Sequence, residues 1–111
     1  MEYDGVMDTE CVALCDAINQ LPDIQTTSSC CGHGRDRYLI SVHTTRIAAL
    51  APLLYWLDAC HTGRRGWHVE ARTDCSMCYP YFIVFGPTGS QAYDDAEHIA
   101  GHIREYCNTP P

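Results

Sequence analysis

Residues 67–72 read Trp-His-Val-Glu-Ala-Arg, so that Trp67, Val69 and Ala71 point one way and His68, Glu70 and Arg72 the other. Period-two alternation marks a strand with one face on a core and the other toward water. After the loop DCSMCYP (74–80) comes Tyr81–Phe85, YFIVF, apolar on both faces as a central strand is. The same pattern recurs 43 residues upstream (81 − 38). There YLISV (38–42) aligns on YFIVF, Leu14 on Leu57 and Ile24 on Trp67, and the turn CGHG (31–34) corresponds, one residue out of that register, to CSMC (75–78). Two β-hairpins are therefore expected, each preceded by a helix.

The helices follow from 3.6-residue spacing. Cys11, Leu14, Cys15, Ile18 and Leu21 share one face of a first helix, capped by Asp8 or Thr9 and stopped by Pro22. Residues 24–31 form the strand that enters the turn CGHGRD, and Tyr38–His43 is the return strand. A second helix is expected from Thr44 or Thr45 to about His61, with Leu50, Leu53, Leu54, Leu57 and Cys60 inward and a kink or restart at Pro52. A final helix is expected to open on an Asp94-x-x-Glu97 capping box and bury Ala96, Ile99, Ala100, Ile103 and Cys107. The expected fold is α+β, in the order α-β-β-α-β-β-α, with helices packed on one largely antiparallel four-stranded sheet in two layers. At 111 residues this is one domain, 1–111, of about 13 Å radius of gyration, with a frayed tail at 107–111.

Charge bounds the partners. Fourteen acidic residues against seven basic ones give a net charge of −7, and scattered arginines do not make the basic stripe that grips a phosphate backbone. No tight nucleic-acid binding is expected. All seven cations are arginine, as high-GC coding produces, which suits a phage or high-GC bacterial source. No apolar run approaches a bilayer span, so no membrane partner is expected. The N-terminal MEYDGVMDTE is acidic and lacks the apolar core of a secretory signal. Eight cysteines would suit a disulfide scaffold in a secreted protein. With no signal and with Cys30 adjacent to Cys31, reduced thiols in a cytoplasmic protein are the expectation.

The densest chemistry lies in Thr26–Arg35, TTSSCCGHGR, where hydroxyls, two thiols, an imidazole and a guanidinium fall within ten residues. Glycines on both sides of His33 permit positive φ and close backbone approach. Ser28, Ser29, Cys30, Gly32, His33, Gly34 and Arg35 are therefore the candidate ligand-binding residues. The N–H groups near Gly32 and Gly34 are expected to face an anionic or polar group. A tight turn that merely needs small residues would look similar. Cys75-x-x-Cys78 lies in the other turn. If the two turns converge, Cys30 or Cys31 with His33, Cys75 and Cys78 would complete a zinc site; a redox pair and two plain thiols are the alternatives. His98 and His102 have the i,i+4 spacing of a metal pair but share a polar face with Asp95 and Glu105, and His68, Glu70 and Arg72 line the polar face of their strand.

The string TTSSCCGHG resembles the Thr-Ser-Ser-Cys-Ser-Gly-Arg signature of the tRNA wybutosine-synthesising methyltransferase family. It is also similar to a Ser-Cys-Cys-Gly-His-Gly string in small phage and bacterial proteins. Thr27, Ser28, Ser29, Cys30 and Gly32 agree with the family signature, while Cys31 stands for its serine and His33 for its arginine. The resemblance covers about ten residues and implies an S-adenosylmethionine-dependent enzyme acting on RNA or a nucleotide, with His33 or Cys30 as base or nucleophile. Against it stand two other readings. One is a small-ligand-binding domain for a nucleotide-like molecule, which the residues favour; the other is a zinc-stabilised interaction module.

Overall fold

A computed structural model describes residues 7–73 and 80–109 of the chain. The elements run α1 (Thr9–Ile18), β1 (Gln25–Cys30), β2 (Arg37–His43), α2 (Ala51–Leu57), α3 (Ala59–Thr62), β3 (His68–Thr73), β4 (Pro80–Thr88) and α4 (Gly89–Asn108). The α+β order read from the sequence is the order found. The four strands form one antiparallel sheet in the spatial order β1-β2-β4-β3, so the two hairpins meet where β2 pairs with β4. The radius of gyration is 13.4 Å.

One face of the sheet carries the core. Tyr38, Ile40 and Val42 of β2 and Phe82 and Val84 of β4 are buried beneath α1 and α4 with Leu14, Ile18, Ile99 and Ile103. The register Ile40↔Val84 and Val42↔Phe82 places these side chains opposite one another. The other face holds Leu39, Ser41, Ile83, Phe85, His68, Glu70 and Arg72, as the alternation in 67–72 requires. Trp67 closes the top of the core: its indole N–H donates to the buried Asp95 carboxylate at 3.0 Å, and its ring meets Tyr38 edge-on at 5.3 Å. Arg64 neutralises Asp95 at 2.9 Å, so the buried charge is both paired and hydrogen-bonded.

Three helix boundaries differ from expectation. α4 begins at Gly89 and not at Asp94, because buried Ala92 extends the apolar stripe of Ala96, Ile99, Ala100 and Ile103 one turn upstream. The second helix is broken. A 3₁₀ turn (Ile47–Leu50) leads into α2, whose first turn holds Pro52. The backbone then turns extended at Asp58, and the Asp58 carboxylate accepts the Cys60 N–H at 2.8 Å to start α3. Leu54 and Cys60 are exposed, contrary to their place on the expected stripe. Asp8 precedes α1 but does not cap it with its side chain. Its carboxylate is engaged elsewhere.

Candidate metal and ligand site

The turn between β1 and β2 is built by three consecutive left-handed residues. Gly32 and Gly34 have φ of 80° and 82°, and His33 between them has φ 53° and ψ 32°. For histidine this conformation costs roughly 1–2 kcal/mol, and such strain persists only where surrounding contacts enforce it. The contacts are with sulfur. The His33 N–H donates to Cys31 Sγ at 3.3 Å, and the ring places Nδ1 3.7 Å from Cys31 Sγ and Nε2 3.8 Å from Cys30 Sγ. The Gly32 N–H points at Cys30 Sγ at 3.4 Å.

Asp8 completes the cluster from 23 residues upstream of Cys31. Its Oδ2 accepts the Cys31 N–H at 3.0 Å, and this bond holds its carboxyl below the usual aspartate range. Donor atoms of Asp8, Cys31 and His33 all lie within 4.8 Å of one another, a group that could hold a metal ion. Burial pushes the Cys31 thiol up, an effect partly opposed by the His33 N–H. The cluster opens on a shallow concavity of about 560 Å³ rimmed by Met7, Thr9, Glu10, Gly34 and Tyr93. Tyr93 donates its hydroxyl to the Cys31 carbonyl at 3.4 Å.

The backbone donors of this turn are already spent. The N–H of Cys31 goes to Asp8, those of Gly32 and His33 to sulfur, and those of Arg35 and Asp36 to the Gly32 carbonyl. These five N–H groups face the chain's own carboxylate, thiols and carbonyl. At Cys31 the His33 N–H favours the thiolate, the form that binds metal, against the larger effect of burial.

The seven candidate ligand residues are dispersed around this turn. His33 and Gly34 line the concavity, Gly32 shapes the turn, and Cys30 touches the His33 ring. Ser28 pairs with Ser41 and shares its open sheet face. Ser29 lies opposite Ile40 on the core side, with its hydroxyl beside the buried thiols of Cys11 and Cys15. Arg35 is exposed. Of the candidate zinc ligands, Cys30 and His33 come together, whereas Cys75 and Cys78 lie outside the described residues. The strand ends flanking them, Thr73 and Pro80, pair at the far end of the sheet from Phe85, which neighbours the Cys30–Leu39 rung. Five residues of β4 separate these positions, about 17 Å at 3.3 Å each.

Asp8 and Tyr93 are the site residues that sequence reasoning missed, and Cys31 stood in it only as an alternative to Cys30. Asp8 was read as a helix cap, and the 23 residues separating it from Cys31 carry no pattern that links them. The six described cysteines are free thiols. No helix among the described residues is long and apolar enough to cross a membrane. Comparison with protein-family models, with curated proteins and with solved structures returns no match.

Proposed function

We propose that this chain is a small-ligand-binding domain that works through zinc held by Asp8, Cys31 and His33. The observation that carries the reading is the convergence of carboxylate, thiol and imidazole donors within 4.8 Å at the mouth of a concavity. Zinc accepts this mixed set of oxygen, sulfur and nitrogen donors. Three protein ligands leave its fourth tetrahedral position open, whereas a closed structural site uses four. Asp8, Cys31 and His33 line the hollow that Glu10, Gly34 and Tyr93 also border, so an oxyanion of a nucleotide-like molecule would be received there if zinc were held by the three. When bound, the metal supplies Lewis acidity toward that oxyanion.

The remaining residues support the donors. A metal-bound histidine is oriented by a partner on its second ring nitrogen, and Cys30 Sγ is placed at Nε2 to accept that N–H. Gly32 and Gly34 allow the left-handed turn that brings the imidazole back over Cys31. Cys31 would have to give up its thiol proton to hold zinc, so the burial that raises this thiol would couple affinity to pH.

Competition titration against a chromophoric zinc chelator tests the reading. Wild-type protein should bind one zinc, Cys31→Ser and His33→Ala should lose it, and Cys30→Ser should weaken it about 10–100-fold, as loss of an orienting partner does. Adding inorganic phosphate, then a nucleoside monophosphate, to the zinc-loaded protein tests the open position. Zinc binding without any effect of either would leave a metal-stabilised module and overturn the ligand-binding part. No zinc binding would overturn the whole.

A further inference from the structure

A second concave region lies at the other end of α4. Tyr106 is 13 residues beyond Tyr93, about 20 Å along the helix at 1.5 Å per residue. Here α2 and α4 carry a run of aromatic rings. Tyr55 meets Trp56 at 87° with centroids 4.7 Å apart, and Trp56 stacks on His102 at 5.2 Å with its plane within 6°. The back of Tyr55 is covered by His61, stacked at 3.7 Å. Two hollows, of about 460 and 740 Å³, share Trp56 and Tyr106 as walls. Among the described residues the smaller is bounded by Tyr55, Trp56, Tyr106, Pro52 and Ala51. Tyr55 and Tyr106 are each about half exposed, so their rings are not consumed by the core.

We propose that this aromatic cleft binds a quaternary ammonium group. The argument is electrostatic. Aromatic faces carry negative charge density and attract a cation within about 6 Å of the ring centroid, most strongly when it is alkylated and weakly hydrated. Three aromatic side chains around one hollow are the arrangement that exploits this. Among the described lining residues of both hollows, Glu105 is the only Asp, Glu, Lys or Arg, and it supplies a carboxylate to the larger one, which shares Trp56 and Tyr106 with the cage. The chain's net charge of −7 draws cations toward its surface. A neutral apolar ligand would gain from burial alone and nothing from Glu105 or the ring faces. This site is separate from the Asp8–Cys31–His33 cluster and stands or falls without it.

Titration of ¹⁵N-labelled protein with tetramethylammonium chloride at constant ionic strength tests the proposal through the Trp56 indole resonance. A saturable shift is expected at Trp56, with Trp67 unmoved. Choline should bind at least tenfold tighter than its neutral isostere 3,3-dimethylbutan-1-ol. Tyr106→Phe should retain the affinity, whereas Tyr106→Leu, which keeps the apolar cover but removes the ring, should lose at least fivefold. Tighter binding of N-trimethyl-lysine than of choline would assign the group to a modified side chain, and the reverse to a free small quaternary ammonium compound; either result supports the site. Equal affinity for choline and its isostere, equal affinity of the Phe and Leu variants, or no saturable shift would each overturn it.

Discussion

Replacing Gly32 and Gly34 separately with alanine measures how tightly the turn at the site is held. Both glycines are left-handed, with φ of 80° and 82°, so either alanine meets the same backbone penalty of about 1–2 kcal/mol. Alanine also restricts the unfolded chain, which returns roughly 0.4–1 kcal/mol. The net conformational cost is therefore about 1 kcal/mol at each position. The surroundings differ. A Cβ on Gly34 meets nothing within 4 Å, whereas a Cβ on Gly32 falls 3.0 Å from the Arg37 carbonyl oxygen and 3.1 Å from its carbon. That obstacle is backbone at the start of β2, fixed by pairing with β4, and overpacking of this kind adds roughly 1–3 kcal/mol. Gly34→Ala should thus cost about 1 kcal/mol and Gly32→Ala about 3 kcal/mol. With an unfolding entropy near 2.1 cal/mol/K per residue, the expected falls in Tm are about 4 °C and about 13 °C. Urea denaturation with unchanged m-values gives the two free energies directly. Zinc affinity should fall more in Gly32→Ala, because the clash moves the segment that carries Cys31 and His33. Equal costs for the two alanines would refute the reasoning, since the Arg37 contact would then count for nothing.

Three further outcomes follow from the same coordinates. Gly86→Ala should cost about 1–3 kcal/mol, because its Cβ would lie 2.7 Å from two carbons of the Trp67 ring, which Asp95 holds in place; Trp67→Phe should recover part of that cost in a double-mutant cycle. Glu70 is held below its ordinary value of 4.5 by the His68 and Arg72 hydrogen bonds, so its contribution is complete above that value and lost as pH falls through the lowered one. The stability difference between wild type and Glu70→Gln should therefore close in acid, and a constant difference from neutral pH to pH 2 would contradict it. Denatured, metal-free, unreduced protein should titrate at least six thiols, and three or four disulfides under careful alkylation would reverse that expectation.

The sheet was legible because both hairpins state their faces in the sequence. The alternation of 67–72 and the repeat of YLISV in YFIVF fix which side chains meet the helices, and burial of Ile40, Val42, Phe82 and Val84 follows. Helix ends were less legible, because they depend on what packs nearby. Ala92 carries no signal of its own until Ala96 and Ile99 are seen on the same buried face, and Asp58 ends α2 by offering its carboxylate to Cys60. At the site, the glycines of CGHG announced an unusual backbone and His33 adopts it. Where the N–H groups point was not legible, since their acceptors are the sulfurs of the same turn and the Asp8 carboxylate. Local pattern identifies a residue that must be left-handed. It does not identify a partner brought from 23 positions away by the packing of α1.

X-ray absorption at the zinc edge of the metal-loaded protein tests the central claim most directly, because it counts sulfur ligands. One sulfur at about 2.3 Å with nitrogen and oxygen at about 2.0–2.2 Å is the shell expected from Cys31, His33, Asp8 and one exchangeable ligand, and the sulfur should vanish in Cys31→Ser. A shell of three or four sulfurs would place the metal on Cys75 and Cys78 as well, and a shell without sulfur would remove Cys31 from the site; either result contradicts the account.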